Sequence, residues 1–233
     1  MSWELRLGDC LDPVIGLASL ADKSVDHVIT DPPYEAEAHT QGRRCGTGNG
    51  GAVERPLDFA PIDEEQRILC GQHFGRLARR WILSFCQVEA AMKWRTAIAA
   101  DYCRTCVWIK PGGAPQFTGD RPGMGYESIV ACHAPGRKRW NGGGQHGVFE
   151  CPLEAPSTRQ HTTQKPAALM EKLVRLFTDP GDTILDPFAG SGTTGVAAIR
   201  LGRHFIGFEK DPKYHAIAMK RLNAAREQLE LTA

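Results

Sequence analysis

Two segments of the sequence combine residue types that can do chemistry. The first is Asp31-Pro32-Pro33-Tyr34, which follows a short apolar run that predicts a strand. Because a residue before proline favours extended backbone, we expect the Asp31 carboxylate and the Pro32 carbonyl to be held side by side. Two acceptors next to an aromatic ring suit an amine on a planar ring, since they can accept both of its hydrogens and stabilise positive charge on its nitrogen. Taken alone, the segment also fits a Pro-Pro turn with a packed tyrosine.

The second segment is the glycine-rich stretch from Asp186 to Gly195, between a predicted strand and a predicted helix. Glycines at such a turn let the backbone approach a ligand closely and expose N–H groups at the start of the helix. Glu209 ends the next predicted strand, where a carboxylate can accept hydrogen bonds from both hydroxyls of a ribose. The pattern predicts a cofactor that contains adenosine, but it does not distinguish a nicotinamide cofactor from S-adenosylmethionine.

Alternating strands and helices must position these segments. Strands are predicted at 3–7, 25–30, 81–85, 105–110, 128–133, 183–185 and 204–208, and helices at 63–80, 87–100, 166–177, before Gly202 and from Pro212 onward. This alternation predicts an α/β fold with a mostly parallel sheet and helices on both faces. Residues 35–60 and 134–160 have no periodic pattern, and we interpret them as loops.

The composition is that of a globular protein. The 233 residues are 42% hydrophobic and 24% charged, and the net charge is +1. This excludes fibrous and disordered classes, and no apolar run is long enough to span a membrane. The eight cysteines are spread along the chain, which favours reduced thiols. We expect one domain over residues 1–233, located in the cytoplasm, with no membrane partner and no metal at Cys103-x-x-Cys106.

Together the two segments resemble the amino-methylating DNA methyltransferases of the permuted β type. In that family the catalytic motif precedes the cofactor motif, as position 31 precedes position 188 here. Other segments that resemble family motifs are Leu7–Cys10, Trp108–Pro111, Gly119–Pro122, His161–Pro166, Arg203–Glu209 and Asp211–Tyr214, so the resemblance spans most of residues 5–222. It implies a Rossmann-like fold that uses S-adenosylmethionine, with a mixed seven-stranded sheet, in a prokaryotic cell or its phage.

The resemblance also implies site residues. Asp31, Pro32, Pro33 and Tyr34 would form the catalytic motif, in which Asp31 and the Pro32 carbonyl hold the amine and Tyr34 stacks on a base turned out of the helix. The residues expected at the cofactor are Asp9, Cys10, Thr162, Gln164, Lys165, Asp186, Phe188, Gly190, Ser191, Gly192, Thr193 and Glu209, with Thr162, Gln164 and Lys165 near the methionine part. The product would be N6-methyladenine or, as the alternative, N4-methylcytosine.

DNA as a partner requires positive charge near the site. We expect residues 134–160 to form a small target-recognition insert that contacts DNA through Arg137, Lys138, Arg139 and Trp140. We also expect residues 35–60 to form a mobile loop that closes on DNA through Arg43 and Arg44. The insert is short, which favours a short target sequence or a homodimer that shares the work.

Three other interpretations stay open. A nicotinamide-dependent oxidoreductase would explain the glycines and Glu209 but leaves Asp31 to Tyr34 without a role. Methylation of RNA or of a protein amide uses similar chemistry, although enzymes of that kind resemble an Asn-type motif. A DNA-binding protein without activity is the third.

Overall fold

The computed structural model describes residues 1–36, 60–112, 122–154 and 164–232, and the backbone of 44–46 and 52–54. The strands are β1 Trp3–Leu7, β2 His27–Thr30, β3 Arg44–Gly46, β4 Ala52–Glu54, β5 Trp81–Cys86, β6 Asp101–Ile109, β7 Tyr126–His133, β8 Val148–Glu150, β9 Thr183–Asp186 and β10 His204–Glu209. The helices are α1 Glu64–Leu77, α2 Ala91–Ala97, α3 Ala167–Phe177, α4 Thr193–Arg200 and α5 Pro212–Thr232.

The main sheet is mixed, and its strand order is β1-β10-β9-β2-β5-β7-β6-β8. The first five strands in this order are parallel, and β7 is antiparallel to both of its neighbours. From β9 the chain continues to β10 on one side, whereas from β2 it continues to β5 on the other. The boundary between β9 and β2 is therefore a topological switch point, where α/β sheets bind ligands at the carboxyl ends of their strands.

Helices cover both faces of the sheet, as the sequence predicts. Alternate residues of β5 divide between two cores. Leu83 and Phe85 pack in the core that holds α3, α4 and α5, whereas Ile82 and Cys86 pack in the core that holds α1 and α2. The buried strands and the two helix layers together hold the switch point rigidly.

Individual elements follow local signals in the sequence. Asp63 begins α1 with a capping box, because its carboxylate accepts from the Gln66 N–H at 2.8 Å and its own N–H donates to the Gln66 side chain at 3.2 Å. Pro166 directly precedes α3, and Gly202 adopts a positive φ of 83° just after α4. The helix predicted over 87–100 is instead a 3-10 turn at Val88–Ala90 followed by α2.

The expected number of seven strands is wrong, because the main sheet has eight strands among the residues that the structure describes. The additional strand, β8, lies within 134–160, which the sequence analysis interprets as a loop. β8 has only three residues and pairs with the outer side of β6, so it buries Phe149 alone and has no alternation to recognise. The β3–β4 hairpin lies within 35–60. No helix in the described part of the chain is long and apolar enough to cross a membrane.

Candidate active site

A cavity of about 750 Å³ opens at the carboxyl ends of β2, β9 and β10. The predicted site residues that line it are Asp9, Cys10, Asp31, Pro32, Pro33, Tyr34, Gln164, Lys165, Asp186, Phe188, Gly190, Ser191, Thr193 and Glu209. Gly192 lies between two lining residues, and Thr162 is outside the described residues. The structure thus brings the two chemically promising segments, more than 150 positions apart, to one cavity.

The glycine-rich loop is shaped by its backbone. Gly190 and Gly192 have φ angles of 54° and 79°, which side-chain-bearing residues adopt only with strain, and Gly192 begins α4. Gly195 has a different function, because a Cβ there would lie 2.6 Å from Leu222 and 2.7 Å from Phe205. The third glycine therefore allows α4 to pack closely on the sheet and on α5.

Glu209 closes the loop at its other side. Its Oε2 accepts a hydrogen bond from the Gly190 N–H at 2.8 Å, and its Oε1 accepts one from the Asp211 N–H at 2.8 Å. Burial raises the pKa of Glu209, and these two donors partly oppose the shift. A carboxylate has about four acceptor positions, so Glu209 can still accept from the hydroxyls of a ribose. Asp9 follows β1, whose last residue pairs with Glu209 in the sheet.

Asp186 connects the two segments. Its Oδ1 accepts hydrogen bonds from the Thr30 hydroxyl at 2.7 Å and from the Phe188 N–H at 3.1 Å. Burial raises its pKa to about 6, although the hydrogen bonds from Thr194 and Thr30 act in the opposite direction. Asp186 therefore joins the end of β2 to the start of the glycine-rich loop.

A chain of polar contacts braces the loop from behind. Arg221 of α5 donates to the Ser191 carbonyl at 2.6 Å and to the Ser191 hydroxyl at 2.9 Å. The Ser191 hydroxyl in turn donates to Gln164 at 3.2 Å, and the Gln164 amide donates to Glu154 at 2.7 Å. Arg221 was not predicted as a site residue, because nothing in the amphipathic pattern of α5 distinguishes this arginine from surface ones.

Charged side chains cluster around the catalytic segment. The Lys165 ammonium lies 2.6 Å from Asp31 Oδ2 and 3.2 Å from Glu127 Oε2. Glu127 also accepts from the Tyr34 hydroxyl at 2.7 Å and from the Lys110 ammonium at 2.5 Å. The other oxygen of Asp31, Oδ1, is buried and has no hydrogen-bond partner among the described groups.

The electrostatics of this cluster follow from burial and from charge pairing. Burial raises the pKa of Asp31, and the Lys165 ammonium opposes that shift. Burial acts against the ionised form of Glu127 as well, but Lys165 and Lys110 outweigh it and lower its pKa to about 2. For Lys165, burial is outweighed by Asp31 and Glu127, which raise its pKa. The lysine is thus a buried cation beside two carboxyl groups.

Two residues of this cluster were missed as site residues. Lys110 lies in the Trp108–Pro111 segment that resembles a family motif, so the sequence held a signal for it. Glu127 precedes the buried part of β7, and only an acidic residue at the start of an apolar strand marked its position. Lys165, expected near the methionine part of the cofactor, contacts Asp31 and Glu127 in the structure.

The four predicted DNA contacts of the insert lie far from the cavity, at the end of the sheet where the parallel strands begin. β7 leads the chain from Glu127 at the cavity to His133, a distance of roughly 20 Å at the usual rise per residue. There, Arg139 pairs with Asp179 at 3.1 Å, and the ring of Trp140 packs on Phe177. These contacts hold the segment that contains Arg137, Lys138, Arg139 and Trp140 away from Asp31.

The chain then returns to the cavity through β8, and Leu153 lines the cavity wall. Of the two arginines predicted in the other loop, Arg43 lies outside the described residues, and for Arg44 only the backbone in β3 is described. Among the described residues, no group of three or more His, Cys, Asp or Glu side chains is arranged to hold a metal ion.

Comparison with solved structures defines the fold. The chain superimposes on the M1.HpyAVI–SAM complex with a TM-score of 0.73 at 23% identity, covering 95% of this chain and 99% of that one. The PvuII DNA methyltransferase, described as cytosine-N4-specific, matches with a TM-score of 0.70 at 17% identity over 98% of this chain and 93% of that one. This is the fold of S-adenosylmethionine-dependent methyltransferases.

Sequence comparison finds similar proteins of known type. Residues 134–220 match the family model of the N6/N4 DNA methylases. The chain is 25% identical to the type II methyltransferase M.HinfI of Haemophilus influenzae over 92% of this chain and 67% of that protein. It is 56% identical to M2.DpnII of Streptococcus pneumoniae over 68 residues, which are 29% of this chain and 25% of that protein. Over these ranges the chain is similar to DNA N6-adenine/N4-cytosine methyltransferases.

Proposed function

We propose that this protein transfers a methyl group from S-adenosylmethionine to the exocyclic amine of a base in DNA, with adenine N6 favoured over cytosine N4. The observation that carries the proposal is the free, buried Oδ1 of Asp31 beside a cofactor-type glycine loop. A buried acceptor without a partner is costly, so it marks a position where a donor is expected to bind.

The cavity residues fit S-adenosylmethionine. Glu209 has acceptors left for the ribose hydroxyls, Asp9 and Cys10 lie at the end of β1 beside it, and Phe188 offers an apolar surface. Gly190 and Gly192 shape the loop that Ser191 and Thr193 continue, and Thr162 and Gln164 are assigned to the methionine part by family resemblance. When bound, S-adenosylmethionine supplies a methyl group on a positively charged sulfur.

The catalytic segment performs three tasks. Asp31 Oδ1 and the Pro32 carbonyl accept the two amine hydrogens, which draws the nitrogen lone pair out of conjugation with the ring. The same oxygens stabilise the positive charge that the nitrogen acquires with the methyl group, until the methylated amine releases one proton to water. Tyr34 stacks on the base, and its hydroxyl is fixed by Glu127.

The target base must leave the DNA helix, because its amine is otherwise paired and stacked. Extrusion costs a few kcal/mol, and contacts of the displaced base in the cavity offset it. Adenine and cytosine present the same edge, an amine next to a ring nitrogen that accepts hydrogen bonds. The Asp-type motif favours adenine by family resemblance, and the order of the two motifs along the chain supports the permuted β type.

DNA approaches the carboxyl ends of the parallel strands, where the cavity opens. Residues 35–60 follow Tyr34, which lines the cavity, directly in the sequence, and we propose that Arg43 and Arg44 within them contact phosphates. Within the 134–160 insert, the part after β8 reaches the cavity and is the part proposed to read the target. The contacts of Arg139 and Trp140 at the opposite edge argue against a role for 137–140 at the same DNA. We also propose a homodimer that shares target recognition, and light scattering tests it by measuring the molar mass in solution.

Transfer of radioactive methyl label tests the substrate class. The purified protein is incubated with labelled S-adenosylmethionine and with unmethylated DNA, RNA or a protein mixture. We expect label in DNA only, and none with Asp31→Ala. Label in RNA or protein instead, or binding of NAD in place of S-adenosylmethionine by calorimetry, contradicts the proposal.

A further inference from the structure

Glu127 is the centre of a cluster that four different parts of the chain supply. It contacts Tyr34 after β2, Lys110 after β6 and Lys165 before α3, and it lies itself in β7. Its side chain and those of the two lysines are each at most 14% exposed. A buried carboxylate with three donors is fixed in orientation, and it fixes the donors in return.

Lys165 connects Glu127 to Asp31 and restrains the orientation of the Asp31 carboxylate. Its ammonium forms a salt bridge with Asp31 Oδ2 at 2.6 Å. Only Oδ1 is therefore left without a partner, so the salt bridge determines which oxygen of Asp31 can meet a substrate. The ammonium also lies 5.4 Å from the centre of the Tyr34 ring and 5.1 Å from that of Phe85, in an apolar environment that strengthens its interaction with Asp31.

We propose that Lys165, positioned by Glu127, is a positioning residue for methyl transfer, which keeps Asp31 ionised and turned so that Oδ1 faces the incoming amine. This inference rests on the proposed function and goes beyond it, since the resemblance assigned Lys165 to the cofactor and assigned nothing to Glu127.

The charges that face Asp31 give the proposal a distinctive signature. They are Lys165 before α3, Glu127 in β7, Lys110 after β6 and Asp186 at the end of β9, with the uncharged Tyr34 and Cys86 alongside. Removal of the Lys165 charge must raise the pKa of Asp31, whereas removal of the Glu127 charge must lower it. General loss of packing would move both variants in the same direction.

The direct test is a titration of Asp31 by carbon NMR, with carboxyl-labelled aspartate and the signal assigned with Asp31→Asn. We expect the midpoint of Asp31 to rise by about one to three pH units in Lys165→Met and to fall in Glu127→Gln. Lys165→Arg keeps the charge and should leave the midpoint near that of the wild type. Lys110→Met is the matched control, because Lys110 contacts Glu127 but not Asp31, and its effect should be smaller.

Single-turnover methylation of DNA gives the second measurement. Activity requires ionised Asp31, so it is lost as the pH falls through the pKa of Asp31. This acid limb should shift to higher pH in Lys165→Met and to lower pH in Glu127→Gln. Binding of S-adenosylmethionine by Lys165→Met should stay within about threefold of the wild type, since this lysine contacts carboxylates of the amine site.

Two results would overturn the inference. They are an unmoved Asp31 midpoint in Lys165→Met, with or without loss of cofactor binding, and shifts of the same sign in Lys165→Met and Glu127→Gln. If Lys165→Met does not fold, the inference is tested by two other results. The Asp31 midpoint must fall in Glu127→Gln and must stay unchanged in Lys165→Arg. The titration needs no turnover, so it can be read even when the wild type methylates no DNA. If Lys165→Met and Glu127→Gln then still shift the Asp31 midpoint in opposite directions, only the proposed function is contradicted.

Discussion

Two aspartates at the ends of neighbouring strands have different tasks because their partners differ. Asp186 receives hydrogen bonds from Thr30 and Phe188 and joins two loops, whereas Asp31 keeps one oxygen free. The sequence predicted the position of both, since each precedes a proline after an apolar strand. It could not predict that Lys165, 134 positions away, pairs with Asp31, because that contact depends on the tertiary fold.

The raised pKa of Asp186 predicts a dependence of stability on pH. The folded state holds the proton up to about pH 6, whereas the unfolded carboxyl loses it near 3.8. The stability that this proton contributes is therefore fully present below the unfolded pKa of 3.8, and it is lost as the pH rises towards the folded pKa of about 6. Between these values the unfolding free energy of the wild type, relative to Asp186→Asn, should fall by up to about 3 kcal/mol. Urea unfolding at several pH values measures this, and a constant difference refutes it.

Tyr34 is expected to act through its ring. Stacking of an aromatic side chain on a base contributes about 1–3 kcal/mol, so Tyr34→Ala should lower kcat/KM for DNA by about 5- to 150-fold. Tyr34→Phe keeps the ring and loses only the hydrogen bond to Glu127, so it should retain most of the activity. Steady-state kinetics with both variants test this. Equal losses in the two would assign the effect to the hydroxyl.

Helix starts and turns were predictable from the sequence, because they depend on interactions between neighbouring residues. The capping box of α1 and the glycines before α4 were recognisable because each acts within a few residues. β8 was not, since a three-residue strand is formed by its pairing with β6 rather than by its own sequence. The brace between α5 and the glycine-rich loop likewise arises from packing.

That brace predicts a role for Arg221 in cofactor binding. Arg221→Met removes donors to Ser191 and Thr193, and hydrogen bonds of charged groups contribute about 1.5–3 kcal/mol each at most. The dissociation constant for S-adenosylmethionine should rise by roughly tenfold. Arg226→Met is the matched control, because Arg226 lies on the same helix, is exposed, and pairs with Glu230 at 3.6 Å. Calorimetry on both variants decides, and equal affinities would exclude the brace.

At the scale of the whole molecule, the sheet has two ends with different characters. The carboxyl ends of its parallel strands carry the cavity, and the opposite edge carries the ion pairs of Asp179 with Arg80 and Arg139. Charge in the sequence alone could not separate these ends, because the path of the chain through β7 decides which end a basic residue reaches. The fold class was predictable from the sequence, whereas the location of 137–140 was not.

The separation of the two ends predicts which arginines DNA contacts. Arg43→Ala/Arg44→Ala should weaken DNA binding and reduce the slope of log K against log salt by about 2, one unit for each lost phosphate contact. Arg137→Ala/Lys138→Ala is the matched pair at the opposite edge and should change neither affinity nor slope. Fluorescence anisotropy at several salt concentrations measures both. The reverse pattern would place the DNA at the other end of the sheet.

Nucleoside mass spectrometry can establish whether Asp31 directs methyl transfer to a base amine. Unmethylated DNA is incubated with S-adenosylmethionine and either the wild type or Asp31→Ala, then digested and analysed. We expect N6-methyladenine with the wild type only, whereas N4-methylcytosine would leave the mechanism unchanged and change the assigned base. A methylated amine formed equally well by Asp31→Ala, or 5-methylcytosine as the product, would contradict the account.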